Sequence, residues 1–95
     1  MNNTALRAEK TVTNTIIFRN KKHKEFYQTY MKKCRRQDAY HKALIYCIGI
    51  SEDTRVNIDR IYDLRTGYVK TECLQEGWQT SGSVRIVRMA FNLYC

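Results

Sequence analysis

Seven cations crowd into the sixteen residues from 21 to 36: Lys21, Lys22, Lys24, Lys32, Lys33, Arg35 and Arg36. Glu25 is the only acid among them. Such side chains neutralise phosphates and release the counterions condensed on a nucleic acid, which gives affinity without choice of sequence. Arg35 and Arg36 can also grip carboxylates in two-pronged fashion. No signature of glycines and aromatics marks an RNA-binding module, so nucleic acid and an acidic protein surface both stay open as partners.

Catalytic chemistry has fewer candidates. Asp38 and His41 stand three apart, and Asp59 and Asp63 four apart, so each pair can meet on a helix. Such spacings arise often without a reaction to serve. No nucleophile motif, phosphate loop or HExxH is present. "QTSGS" (Gln79–Ser83) can hold an anion at a helix N-terminus, and a cap plus a flexible turn explains it as well. Cys34, Cys47, Cys73 and Cys95 are separated by 13, 26 and 22 positions, with no CxxC pair. The spacing predicts free thiols; a zinc site drawn from Cys34, Cys47, His23 or His41 is the alternative. The reading is a binding protein, not an enzyme, with no cofactor and no metal.

"YCIGISEDTR" (Tyr46–Arg55) has the grammar of a helix-turn-helix corner, with Gly49, Ile50 and Ser51 in place. Two residues oppose a DNA reader there. Ile45 crowds a position where such corners use a small residue, and Arg55 occupies an apolar one. Glu52 and Asp53 would meet the phosphates at the second helix's start, although they suit an ordinary helix N-terminus. The better candidate is the cationic ridge, with Arg55, Arg85 and Arg88 as secondary contacts.

The elements that must carry these residues follow from the wider pattern. The chain has 95 residues, 43% apolar and 27% charged, with no proline and four glycines. That suits one helical domain over residues 1–95, with 1–11 as a flexible tail. The net charge is +8. Residues 1–42 hold 11 Lys/Arg against 3 acids, and residues 43–95 hold six of each, so the whole excess lies in the N-terminal part. No run approaches the roughly 20 apolar residues of a membrane span, and the first residues lack a signal-peptide segment. The expected location is the cytoplasm, with no membrane contact. Oligomeric state is not legible.

The predicted fold is mainly α, with about four helices and a short N-terminal β-strand. "TVTNTIIFR" (Thr11–Arg19) is rich in β-branched residues and reads as the strand, pairing near "YVKT" (Tyr68–Thr71) or with another chain. Asn20 caps a helix over residues 21–36, with His23, Phe26, Tyr27, Tyr30, Met31 and Cys34 inward and the cations outward. Asp38 caps a second helix, apolar nearly all round, that Gly49 ends in the left-handed conformation. Ser51 caps a third, with Thr54, Ile58, Ile61 and Tyr62 inward, ending at Arg65–Gly67. A connector follows, with one helical turn at Glu72–Glu76 and Trp78 as a plug. "SVRIVRMAFNLY" is the last helix, capped by Ser83 or Ser81, with Arg85, Arg88 and Asn92 as its polar stripe.

Residues 18–94 resemble a family of small uncharacterised proteins of conjugative and other mobile elements of Firmicutes. The words that carry the resemblance are "ISEDTR", "RIYD" and "EGWQTSGSV". Relatives of that kind continue past "NLY", whereas this chain ends at Cys95. The resemblance implies a protein that counters host defences, by antagonism of a nucleoprotein such as the Cas9–guide RNA complex (an anti-CRISPR). The alternative is a basic DNA- or RNA-binding accessory protein of the mobile element. The resemblance assigns no catalytic residue.

Overall fold

A computed structural model describes residues 16–95. They form α1 (Lys21–Met31), α2 (Ala39–Ile48), α3 (Glu52–Val56), α4 (Ile58–Ile61), a 3-10 helix (Thr71–Gln75) and α5 (Ser81–Tyr94). The architecture is mainly helical, as the sequence predicts. The only extended pairing among the described residues is one antiparallel bridge, between Tyr62 and Val69.

Three caps sit where the side-chain chemistry places them. Asn20, Asp38 and Ser51 accept from the backbone N–H groups of His23 (2.9 Å), His41 (2.9 Å) and Thr54 (3.3 Å). Each satisfies a donor that the first turn leaves orphaned, worth about 1 kcal/mol.

α2 and α5 pack against each other most extensively and make the central layer. Leu44, Ile45 and Ile48 meet Val87, Ala90 and Phe91 in one apolar cluster. α1 lays Phe26, Tyr27 and Met31 on it, and α4 adds Ile58 and Ile61. Each such side chain removed from water contributes roughly 1.5–3 kcal/mol. Trp78 packs half-buried at the edge, and its indole N–H donates to Glu76 Oε1 at 2.8 Å.

Several expectations are corrected. α1 stops at Met31, five residues before Arg36. Lys33 N and Cys34 N bond back three residues, to Tyr30 O (3.0 Å) and Met31 O (3.2 Å), and Gln37 Nε2 takes the Met31 carbonyl at 2.6 Å, which closes the helix. The third helix is two short ones. Asn57 leaves helical geometry at φ −108° and donates its side-chain amide to Asp53 O at 2.8 Å. Tyr62 then becomes extended to reach Val69, so α4 ends before Arg65–Gly67. Thr80, not Ser81 or Ser83, caps α5. Its hydroxyl accepts from Ser83 N, and Ser83 Oγ accepts in return from Thr80 N at 2.8 Å.

Gly49 is right-handed, at φ −75°. Its lack of a side chain serves packing: a Cβ there would stand 2.8 Å from His23 Cδ2 and 2.9 Å from Phe26 Cδ2. Gly67 is the glycine that takes a positive φ, at 82°. Thr11–Thr15 of the expected strand, and the tail 1–11, lie outside the described residues. Ile16–Arg19 carry no strand, and the segment near Tyr68–Thr71 bridges Tyr62 instead. Apolar coverage is also less complete than the sequence suggests, since Tyr40 on α2 and Met89 and Leu93 on α5 are exposed.

All four cysteines are free, three buried and Cys95 exposed. Burial pushes the Cys34 and Cys73 thiols up to about 11, and raises Cys47. A thiol reagent at mildly alkaline pH should therefore label one cysteine per native chain rapidly and all four in denaturant. Rapid labelling of more than one in the native protein would contradict this core.

Candidate functional site

The cations that the sequence groups together are divided by the early end of α1. Lys21, Lys22 and Lys24 lie on its outer face, while Lys32, Lys33, Arg35 and Arg36 lie on the turn into α2; all are exposed. Amphipathic periodicity explains the first group, because His23, Phe26 and Tyr27 consume the opposite face. Lys21 meets Glu25 at 3.9 Å, a solvent-screened contact between well-exposed groups. Lys33 Nζ lies 4.7 Å from the centre of the Tyr30 ring. Lys22, Lys24, Lys32, Lys33 and Arg36 make no ion pair among the described residues.

Arg35 behaves differently from its neighbours. Its Nη1 crosses to donate to Thr66 O at 2.8 Å, tying the α1–α2 turn to the turn before Val69. The two turns face a cavity of about 370 Å³ lined by Arg35, Arg36, Tyr40, His41, Gly67 and Tyr94, with Asp38 and Thr66 beside them.

The Asp38–His41 pair does form. Asp38 Oδ1 accepts from the His41 backbone N–H and lies 2.6 Å from its Nδ1. Those bonds, the backbone one first, hold the Asp38 carboxyl below its usual range. His41 Nε2 faces the Tyr94 hydroxyl at 3.4 Å, and that hydroxyl donates to Gly67 O at 2.7 Å and meets Tyr62 Oη at 3.0 Å. Burial, then the Tyr94 hydrogen bond, raises the Tyr62 phenol. The Tyr94 hydroxyl is the hub of this network, joining α5 to Gly67, Tyr62 and His41. It braces the pocket wall, and no nucleophile stands in it.

The other candidates disperse. Asp59 and Asp63 do not pair: Asp63 Oδ1 instead accepts from Arg65 N (2.9 Å) and Thr66 N (3.2 Å), closing the turn. Arg55 Nη1 donates to Gly49 O at 2.8 Å and so serves the α2–α3 corner. α3 has five residues, with Glu52 and Asp53 exposed in its first turn, which leaves no recognition helix to enter a groove. Arg85 and Arg88 line a second, separate groove on α5. "QTSGS" is closed upon itself, since Ser83 Oγ donates to Gln79 Oε1 at 2.5 Å. Among the described residues no three His, Cys, Asp or Glu side chains gather as metal ligands, and Cys34, Cys47, His23 and His41 do not cluster.

Residues 13–95 match the model of a family of unknown function, DUF6075. The chain is a member of the DUF6075 family. No curated protein and no solved structure is significantly similar to it. Among the described residues of this DUF6075 chain, no helix is long and apolar enough to cross a membrane.

Sequence reasoning missed Tyr40, Gly67 and Tyr94 as neighbours of the arginines. Tyr94 and His41 are 53 positions apart, and no local periodicity links such residues.

The carboxylates that close these turns predict an acid response. Asp38, Asp63 and Glu76 are all held below their ordinary values of 3.8, 3.8 and 4.5 by the hydrogen bonds they accept. A proton binds them less readily folded than unfolded, so the stability they contribute is whole above those values and lost as pH falls through the lower folded ones. The melting temperature should be level down to about pH 5 and drop below about pH 4, with a shallower drop in Asp63→Asn. An identical acid profile in that variant would remove the Asp63 turn from the account.

Proposed function

We propose that this DUF6075 protein is a non-catalytic binding protein whose ridge along α1 and the α1–α2 turn docks on the phosphates of a nucleoprotein. The observation that carries the reading is the run of exposed cations on α1 and the turn after it, five of which make no ion pair among the described residues, with the other face of α1 buried in the core. Such a surface attracts a polyanion. The resemblance to mobile-element proteins puts a bacterial defence complex first among targets, the Cas9–guide RNA complex in particular, met in the cytoplasm. Cas9 holds its nucleic acid in positively charged channels, so a cationic inhibitor acts on the bound RNA or displaced strand, unlike an acidic DNA mimic.

The second reading is an accessory factor of the mobile element that binds bare DNA or RNA. The same ridge supports it; the corner at Gly49 does not, because α3 is short and begins with acids.

DNA cleavage by Cas9 in the presence of excess protein tests the first reading. Inhibition that disappears when Lys22, Lys24, Lys32, Lys33 and Arg36 are changed to glutamine supports it. Unchanged cleavage, together with tight binding to bare duplex, would transfer the assignment to the accessory factor. No effect in either assay would remove both.

A further inference from the structure

We infer that the cavity between the α1–α2 turn and the Thr66–Gly67 turn is a subsite for one unpaired nucleotide, with its base on Tyr40 and its phosphate on Arg35 and Arg36. The inference rests on the nucleic-acid reading above and specifies the form of the partner: single-stranded, not duplex.

Four observations carry it. Tyr40, in the first turn of α2, is 62% exposed and lines the cavity together with Arg35 and Arg36. An aromatic face next to cations is how proteins hold unstacked bases, because every base has a π-face and every nucleotide a phosphate. Second, Arg35 is already oriented. Its bond to Thr66 O draws the group to the cavity's edge and leaves its remaining N–H donors for a ligand. Arg36 is exposed and makes no ion pair among the described residues. Third, Asp38 is the one carboxylate among the residues lining the cavity, and its Oδ1 is engaged by His41 through two contacts.

The fourth observation concerns the floor. Gly67 adopts a φ of 82°, and a Cβ there would lie 3.4 Å from Tyr94 Oη and 3.6 Å from Arg35 Nη1. Gly67 thus lines the cavity at ordinary contact distance from the Arg35 guanidinium group. The volume of about 370 Å³ lies in the range of small-ligand sites. A base within a duplex has both faces covered by its neighbours and cannot reach Tyr40, whereas an unpaired one can.

Fluorescence anisotropy with a labelled tetrathymidylate and a blunt duplex tests the subsite at fixed salt. The expected result is preference for the single strand. Tyr40→Ala should weaken tetrathymidylate binding about tenfold, with Tyr40→Phe near wild type, because stacking needs the ring and not the hydroxyl. Tyr40 is exposed, so these variants should keep the far-UV circular dichroism of the parent. Wild-type affinity in Tyr40→Ala, with loss on neutralising the α1 lysines, would overturn the subsite and leave the ridge standing. Failure to bind tetrathymidylate at all would also overturn the subsite, while the Cas9 cleavage assay decides the wider reading independently.

Discussion

Neutralising Lys22, Lys24, Lys32, Lys33 and Arg36 together should abolish measurable binding to the nucleic-acid partner near physiological salt. The magnitude follows from counterion release. Each phosphate contact contributes about 0.9 to the slope of log affinity against log salt on duplex, and about 0.7 on single strands. Five contacts therefore give a slope of roughly −4, and affinity should fall about 10²-fold to 10³-fold between about 50 and about 200 mM salt. Any binding the quintuple variant retains at low salt should show a much shallower salt response, set by the remaining Lys21 and Arg35.

Arg35 is left out of that set because its Nη1 ties two turns through Thr66 O. Changing it would confound binding with the positions of Gly67 and Tyr94. A wild-type affinity that hardly changes with salt, or a variant that binds as tightly as the parent, would show that the ridge is only a solvated face.

Gly49→Ala should destabilise the fold by about 1–2 kcal/mol and Gly49→Val by about 3 kcal/mol or more, through forced overpacking. The backbone at Gly49 has right-handed angles that alanine tolerates, and alanine gains about 1 kcal/mol over glycine in helical geometry. Steric contact outweighs this gain. The new Cβ would lie within 3.0 Å of two buried rings, those of His23 and Phe26. The His23 ring cannot easily yield. Its Nδ1 accepts from Arg19 N at 3.0 Å and its Nε2 donates to Tyr46 O at 2.8 Å. The ring also packs against Phe18 and Tyr46.

In a chain of this size the alanine change should lower the melting temperature by about 4–8 °C per kcal/mol. Gly77 is the control, since a Cβ there meets nothing within 4 Å. Gly77→Ala should be neutral or mildly stabilising. Gly49→Asn discriminates further: it would be well tolerated at a left-handed helix stop and should be poorly tolerated here. Equal stability of the two alanine variants would refute the close approach of α1 to α2.

Local chemistry was legible wherever partners lie within a turn or so. Asn20, Asp38 and Ser51 cap because each side chain reaches a backbone N–H three residues on. The inward residues of α1 were legible from a 3.6-residue period, and the outer lysines follow as its complement. Helix ends were less so. The end of α1 depends on Gln37 returning to Met31, and the break at Asn57 depends on Tyr62 reaching Val69. Thr80 displaced Ser81 and Ser83 as a cap because Ser83 could answer it reciprocally.

By itself the sequence determined a helical chain, its caps, its apolar faces and a one-sided excess of positive charge, all set by neighbours along the chain. Only the tertiary structure decided that Gly49 is needed for a helix crossing and that Arg55 serves the corner. It also decided that Arg35, Arg36, Tyr40, Gly67 and Tyr94 share one cavity. The crossing and the cavity bring together residues 23 to 59 positions apart, from Phe26 and Gly49 to Arg35 and Tyr94. Contacts at that range are fixed by how α2 and α5 bury their faces together, and no period or spacing in the chain encodes them locally.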